Sequence, residues 1–144
     1  MILAAPEVEV LFRQNGYRPD VVLLSGDFET VTRNWVQSKY GPALQNEMSA
    51  WQRENGKNNR CKAYTRFAVN FAQVLHERMT PDGATALAFG GLWYRRVVGA
   101  GHSLCWFISF ETEGPRINIY EEETLEITTL TEEEKLLCEA VWCS

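Results

Sequence analysis

The chain has 144 residues, of which 45% are hydrophobic and 23% charged, with a net charge of −5 and a pI near 5.1. These values fit a single globular domain with an ordinary core, and they argue against extended disorder and against a general nucleic-acid role, which needs a basic surface. No apolar run is long enough to span a membrane, and the opening MILAAPEVEVLF lacks a basic segment leading into a long apolar stretch, so a cytoplasmic protein with no membrane partner is expected.

Pro6 suits the first turn of a short helix that reaches about Gln14, with Val8, Leu11 and Phe12 inward and Gly16 just past its end. An extended stretch follows over 17–24, where Pro19 opposes a helix, and Ser25, Gly26 and Asp27 turn the chain. A helix from near Thr30 holds Val31, Trp35 and Val36 inward until Gly41 and Pro42 interrupt it. A second piece then carries Leu44, Met48 and Trp51 to Glu54.

The central element is predicted over 57–79, KNNRCKAYTRFAVNFAQVLHERM. Cys61, Tyr64, Ala68, Phe71, Leu75 and Met79 recur at steps of three and four, one stripe of a helix. Asn58 or Asn59 can cap it, which puts Cys61 in its first turn, where the helix dipole, Arg60 and Lys62 all favour a thiolate. The commoner use of a cysteine on such a stripe is packing. His76 lies off the stripe and roughly 20 Å along the helix from Cys61, too far to serve it as a base, and a partly exposed structural role is expected.

After a stop at Thr80, Pro81, Asp82 and Gly83, residues 85–98 read as a strand that a bulge or bend interrupts at Gly90 and Gly91. Its Trp93, Tyr94, Arg95 and Arg96 either line a cleft or belong to the core. From His102 to Phe110 the residues alternate, with His102 in phase with Leu104, Trp106, Ile108 and Phe110. This more apolar face is expected to pack on the central helix. Glu111 to Gly114 form a hairpin loop, so Phe110 pairs with Pro115 and Glu121 falls opposite Leu104, diagonal to His102 on the same face. A further strand is expected over 124–129, then a C-terminal helix opened by a Thr131–Glu134 capping box and docked through Leu136, Leu137, Ala140, Val141 and Trp142. Cys105, Cys138 and Cys143 match no CxxC spacing and are given no role.

The order cysteine at a helix start, histidine at a strand start and acid at the end of the paired strand is what cysteine nucleophilic catalysis requires. On these residues, with GHSLCWFIS and RINIYEEET as the two strands, the stretch 55–123 resembles the papain-like superfamily, more closely its NlpC/P60 and transglutaminase-like branches. The resemblance implies an α+β domain with a central helix packed on an antiparallel sheet. It would divide into a helical N-terminal part (1–56), the helix plus antiparallel strands (57–123), and a final strand with a C-terminal helix (124–144). It implies a cysteine hydrolase or acyltransferase that needs no cofactor and acts on a peptide or amide. Cys61 would be its nucleophile, His102 its general base and acid, and Glu121 its orienting group, unless Glu122 or Glu123 takes that place. Compact proteins of this shape also occur in phage genomes, where the same fold can serve as an accessory protein that binds a host protein without catalysis. A third option is a metal held by Cys61, His102 and a glutamate, acceptable ligands at no diagnostic spacing.

Overall fold

The computed structural model describes residues 1–55, 61–80, 83, 85–95 and 101–143, apart from the side chains of 51–55 and Cys61. In chain order the elements are β1 (Ile2–Ala4), α1 (Ala5–Gln14), β2 (Val21–Leu23), β3 (Asp27–Glu29), α2 (Arg33–Trp35), a π-helical turn (Val36–Tyr40), α3 (Gly41–Asn55) and α4 (Cys61–Met79). There follow β4 (Ala86–Leu87), β5 (Phe89–Tyr94), β6 (His102–Glu111), β7 (Gly114–Glu121), β8 (Glu126–Thr128), α5 (Glu132–Leu136) and β9 (Cys138–Trp142).

The main sheet has six strands in the order β2-β9-β5-β6-β7-β8, antiparallel except for the parallel pair β2 and β9. A smaller sheet, β1-β3-β4, includes a parallel pair as well. The fold is therefore α+β, with mixed sheets in place of the purely antiparallel one expected. Strands β1, β2 and β3 also mean that the N-terminal part is not simply helical.

Both faces of the main sheet are covered. On one, Val8 and Phe12 of α1 pack with Leu92, Leu104, Trp106, Ile108 and Ile119, and the Phe12 ring meets Trp106 edge-on at 5.2 Å. On the other, Tyr40, Leu44, Tyr64, Ala68, Val69 and Ala72, from the π-helical turn, α3 and α4, pack with Phe89, Cys105, Phe107 and Tyr120. Burying apolar side chains of this size stabilises a fold by about 1.5–3 kcal/mol each, before the entropy of ordering them is set against it.

The expected break at Gly41 and Pro42 takes the form of the π-helical turn, in which Gly41 N–H reaches back to Val36 C=O. Pro42 has no N–H with which to continue the α-helical ladder, and the wider turn absorbs that loss without ending the helix. Gly90 and Gly91 also act differently from expectation. They lie in regular β5, where a Cβ on Gly90 would come within 2.5 Å of the Trp106 indole and one on Gly91 within 2.2 Å of the Trp142 indole. The sheet irregularity falls instead at Trp93/Tyr94, against β9.

The chain does not close on a helix. The Thr131–Glu134 capping box forms, but α5 ends at Leu136 and the following residues make β9, inserted between β2 and β5. Trp142, Val141 and Ala140 pair with Gly91, Leu92 and Trp93. Two strands with unpaired backbone groups flank this place, and satisfying them outweighs continuing a short helix into a β-branched and aromatic stretch.

Candidate active site and adjoining cleft

Cys61 is the first described residue of α4; its side chain lies outside the described residues, as do Asn58, Asn59 and Arg60, on which the expected cap rests. Two contacts fix the start of this helix on the sheet. Lys62 Nζ stands 4.1 Å from the centroid of the Trp93 ring, and Trp93 pairs with Ser103 at the beginning of β6. Thr65 Oγ1 donates a 2.5 Å hydrogen bond to Glu122 Oε1, just past the end of β7. The helix therefore begins at the end of the sheet where β6 starts and β7 stops.

His102 and Glu121 meet at that same end. Phe110 pairs with Pro115 and Cys105 with Tyr120, the register that sets Glu121 diagonal to His102. His102 Nε2 lies 3.5 Å from Glu121 Oε2, long for a hydrogen bond but within ion-pair range when the ring is protonated. Tyr94, opposite His102 on β5, holds the imidazole edge-on at 5.8 Å. With Glu121 beside the imidazole and Glu122 bonded to Thr65, the two carboxylates point to different partners; Glu123 is exposed.

One expectation about this pair is reversed. His102 shares its face with Leu104, Trp106 and Ile108, which pack with α1, whereas Cys105 and Phe107 face α4. Strand β6 is buried on both sides from Ser103 to Ser109, so a comparison of which face is more apolar carried no information on which helix lay where. His102 stands at the first position of the strand, at the rim of the sheet.

Glu122 is 2% exposed. Burial pushes its carboxyl up to about 7, partly offset by the Thr65 hydrogen bond, and its Oε2 has no partner among the described residues. The Cys105 thiol on the same face is fully buried and raised well above its ordinary value by desolvation, with smaller contributions from Glu122 and Glu121. It is a packing residue. Burial likewise pushes Cys138 and Cys143 up to about 12. His76 is buried, not half-exposed, with Nε2 3.2 Å from Thr85 O and 3.7 Å from Glu29 Oε2, a tie between α4 and the small sheet.

Two depressions lie on opposite faces at this end of the sheet, and of the two only the second has described α4 residues in its lining. One, of about 390 Å³, is lined by His102 and Glu121 with Glu123, Thr124, Glu126 and Thr128. A larger cleft of about 510 Å³ lies on the other face, between α4 and strands β9, β5 and β6, and includes neither His102 nor Glu121. Trp93 lines this cleft, whereas Tyr94 is turned into the core, Arg95 pairs with Glu139, and Arg96 lies outside the described residues. The contribution of α4 to the cleft was missed in the sequence, although Lys62, Arg66 and Asn70 recur every fourth residue on its polar side. Among the described residues no group of three or more His, Cys, Asp or Glu is placed to hold a metal ion, and no helix is long and apolar enough to cross a membrane.

No protein family matches the sequence, and no curated protein does. Among solved structures the chain is similar to one titled "PSL1a-E64 complex", with a TM-score of 0.71 over 98% of this chain at 14% identity. The likeness is one of fold. The chain spans 50% of the length of that structure.

Proposed function

We propose that this is a papain-like cysteine hydrolase or acyltransferase acting on a peptide or amide, with Cys61 as nucleophile, His102 as general base and acid, and Glu121 as the group that orients the ring. The observation that carries the reading is the approach of His102 Nε2 to Glu121 Oε2 at the end of the sheet where α4 begins with Cys61. With Nε2 turned to the carboxylate, Nδ1 is the nitrogen that exchanges a proton with the thiol. The Cys61 thiolate attacks the acyl carbon, the leaving group departs with the proton held by His102, and water or an amine then releases the thioester. Backbone N–H groups at the start of α4 supply hydrogen bonds to the oxyanion.

An activated ester tests this directly. Incubation with p-nitrophenyl acetate should release p-nitrophenolate and leave an acetyl group on the Cys61 peptide, lost in Cys61→Ala and slowed about a hundredfold or more in His102→Ala. Absence of the acetyl group, or equal rates with and without His102, overturns the catalytic reading. One observation favours a second reading, a non-catalytic phage or prophage accessory protein that binds a host protein: the larger cleft lies away from His102 and Glu121. That reading expects full binding of the partner by Cys61→Ala.

A further inference from the structure

The cleft on the α4 face is built differently from the rest of this acidic protein. Its floor runs across three strands, Ser103 on β6, Trp93 on β5 and Ala140 on β9, which are register partners. Ser103 and Ala140, which flank Trp93 on the neighbouring strands, are small, and Trp142 stands on the same face two residues along β9 from Ala140. Both indoles lie flat because glycines beneath them leave room: a Cβ on Gly101 would come within 2.1 Å of Trp93, and one on Gly91 within 2.2 Å of Trp142. The roof is the polar stripe of α4, where Lys62 and Arg66 are exposed one turn apart.

The charge is one-sided. Among the described residues no acidic side chain lines the cleft, in a chain of net charge −5. Lys62 is held over the Trp93 ring, and Arg66 has no carboxylate partner among the described residues. Glu139, next to Ala140 on β9, accepts a hydrogen bond from Trp93 Nε1 at 3.1 Å and pairs with Arg95. The volume, about 510 Å³, suits a small organic ligand. A recess with aromatic walls below and two cations above selects a molecule with a flat or aliphatic body and an anionic head.

We propose that this cleft is a binding site for an amphipathic carboxylate, its apolar body on Trp142 and Ala140 beside the Trp93 indole and its carboxylate on Lys62 and Arg66. The site stands whether or not Cys61 is a nucleophile, since none of these residues belongs to the proposed catalytic group.

The probe pair is 4-phenylbutyrate and its neutral amide, titrated into the intact protein by isothermal calorimetry with tryptophan fluorescence in parallel. The acid should bind saturably at millimolar concentration and at least about tenfold more tightly than the amide, with a preference that falls as salt is raised. Arg66→Gln and Lys62→Gln, both at exposed positions, should keep the wild-type fold by circular dichroism and remove most of that preference. No saturable binding of the acid, equal binding of acid and amide, or a preference unchanged in both variants overturns the proposal.

Discussion

Thr65 on α4 and Glu122 after β7 share a 2.5 Å hydrogen bond out of contact with solvent, and this bond ties the start of the cysteine-bearing helix to the strand that carries Glu121. Folding raises the Glu122 carboxyl from its ordinary 4.5 to about 7, chiefly by burial. The folded chain thus holds this proton more tightly than the unfolded one, so the group's contribution is most favourable below pH 4.5 and declines as pH rises toward 7. The ionised carboxylate then costs up to about 3 kcal/mol. Glu122→Gln keeps an acceptor for Thr65, and urea titrations at pH 5 and pH 8 should show a smaller loss of stability with pH than in the wild type. A parallel loss in both proteins would contradict the assignment.

The C-terminal residues should be indispensable to the fold. Strand β9 lies inside the main sheet, pairs with both neighbours, and contributes Cys138 and Val141 to the α1-side core. Truncation after Leu137 should abolish cooperative thermal unfolding, because it leaves β2 and β5 with unpaired edges and opens the core. A helix docked on the outside would be lost at much smaller cost, so cooperative unfolding of the truncated chain would contradict the central placement of β9.

Much of the frame was legible in the residues. The stripe from Cys61 to Met79 gave α4, Pro6 marked the first turn of α1, and the hairpin expected at Glu111 to Gly114 set the pairing of Phe110 with Pro115, and with it the diagonal of His102 and Glu121, although its loop is the two residues Thr112 and Glu113 in place of four, with Glu111 paired to Gly114. These are local signals, decided within a helix or a hairpin. What the residues could not give depended on distant partners. CEAVW becomes a strand because β2 and β5 leave a place for it, and Gly90 and Gly91 are needed for indoles fifteen or more residues away. The face of β6 that meets α4 was misjudged for the same reason, as both of its faces are buried. Glu122 was recognised as a rival to Glu121, but its bond to Thr65 joins residues 57 positions apart.

The cysteines should separate cleanly by reactivity. Cys105 is fully buried with its thiol held well above the ordinary range, and burial pushes Cys138 and Cys143 up to about 12. At pH 8 these three therefore carry almost no thiolate in the folded protein. Brief treatment with iodoacetamide, read by peptide mass mapping, should modify Cys61 well ahead of the others, and all four after unfolding in guanidinium. Native modification of Cys105 at a rate comparable to Cys61 would show that the α4-side core is not as closed as described.

The central claim is that Cys61 and His102 act as one site, and the pH dependence of Cys61 alkylation tests it most directly. An imidazolium beside the thiolate, oriented by Glu121, should sustain rapid modification at mildly acidic pH, and His102→Ala should move the alkylation profile toward that of an ordinary thiol near 8.5, cutting the rate at pH 6 by about tenfold or more. A Cys61 that reacts slowly at pH 6 in the wild type, or whose profile is the same with and without His102, would contradict the account.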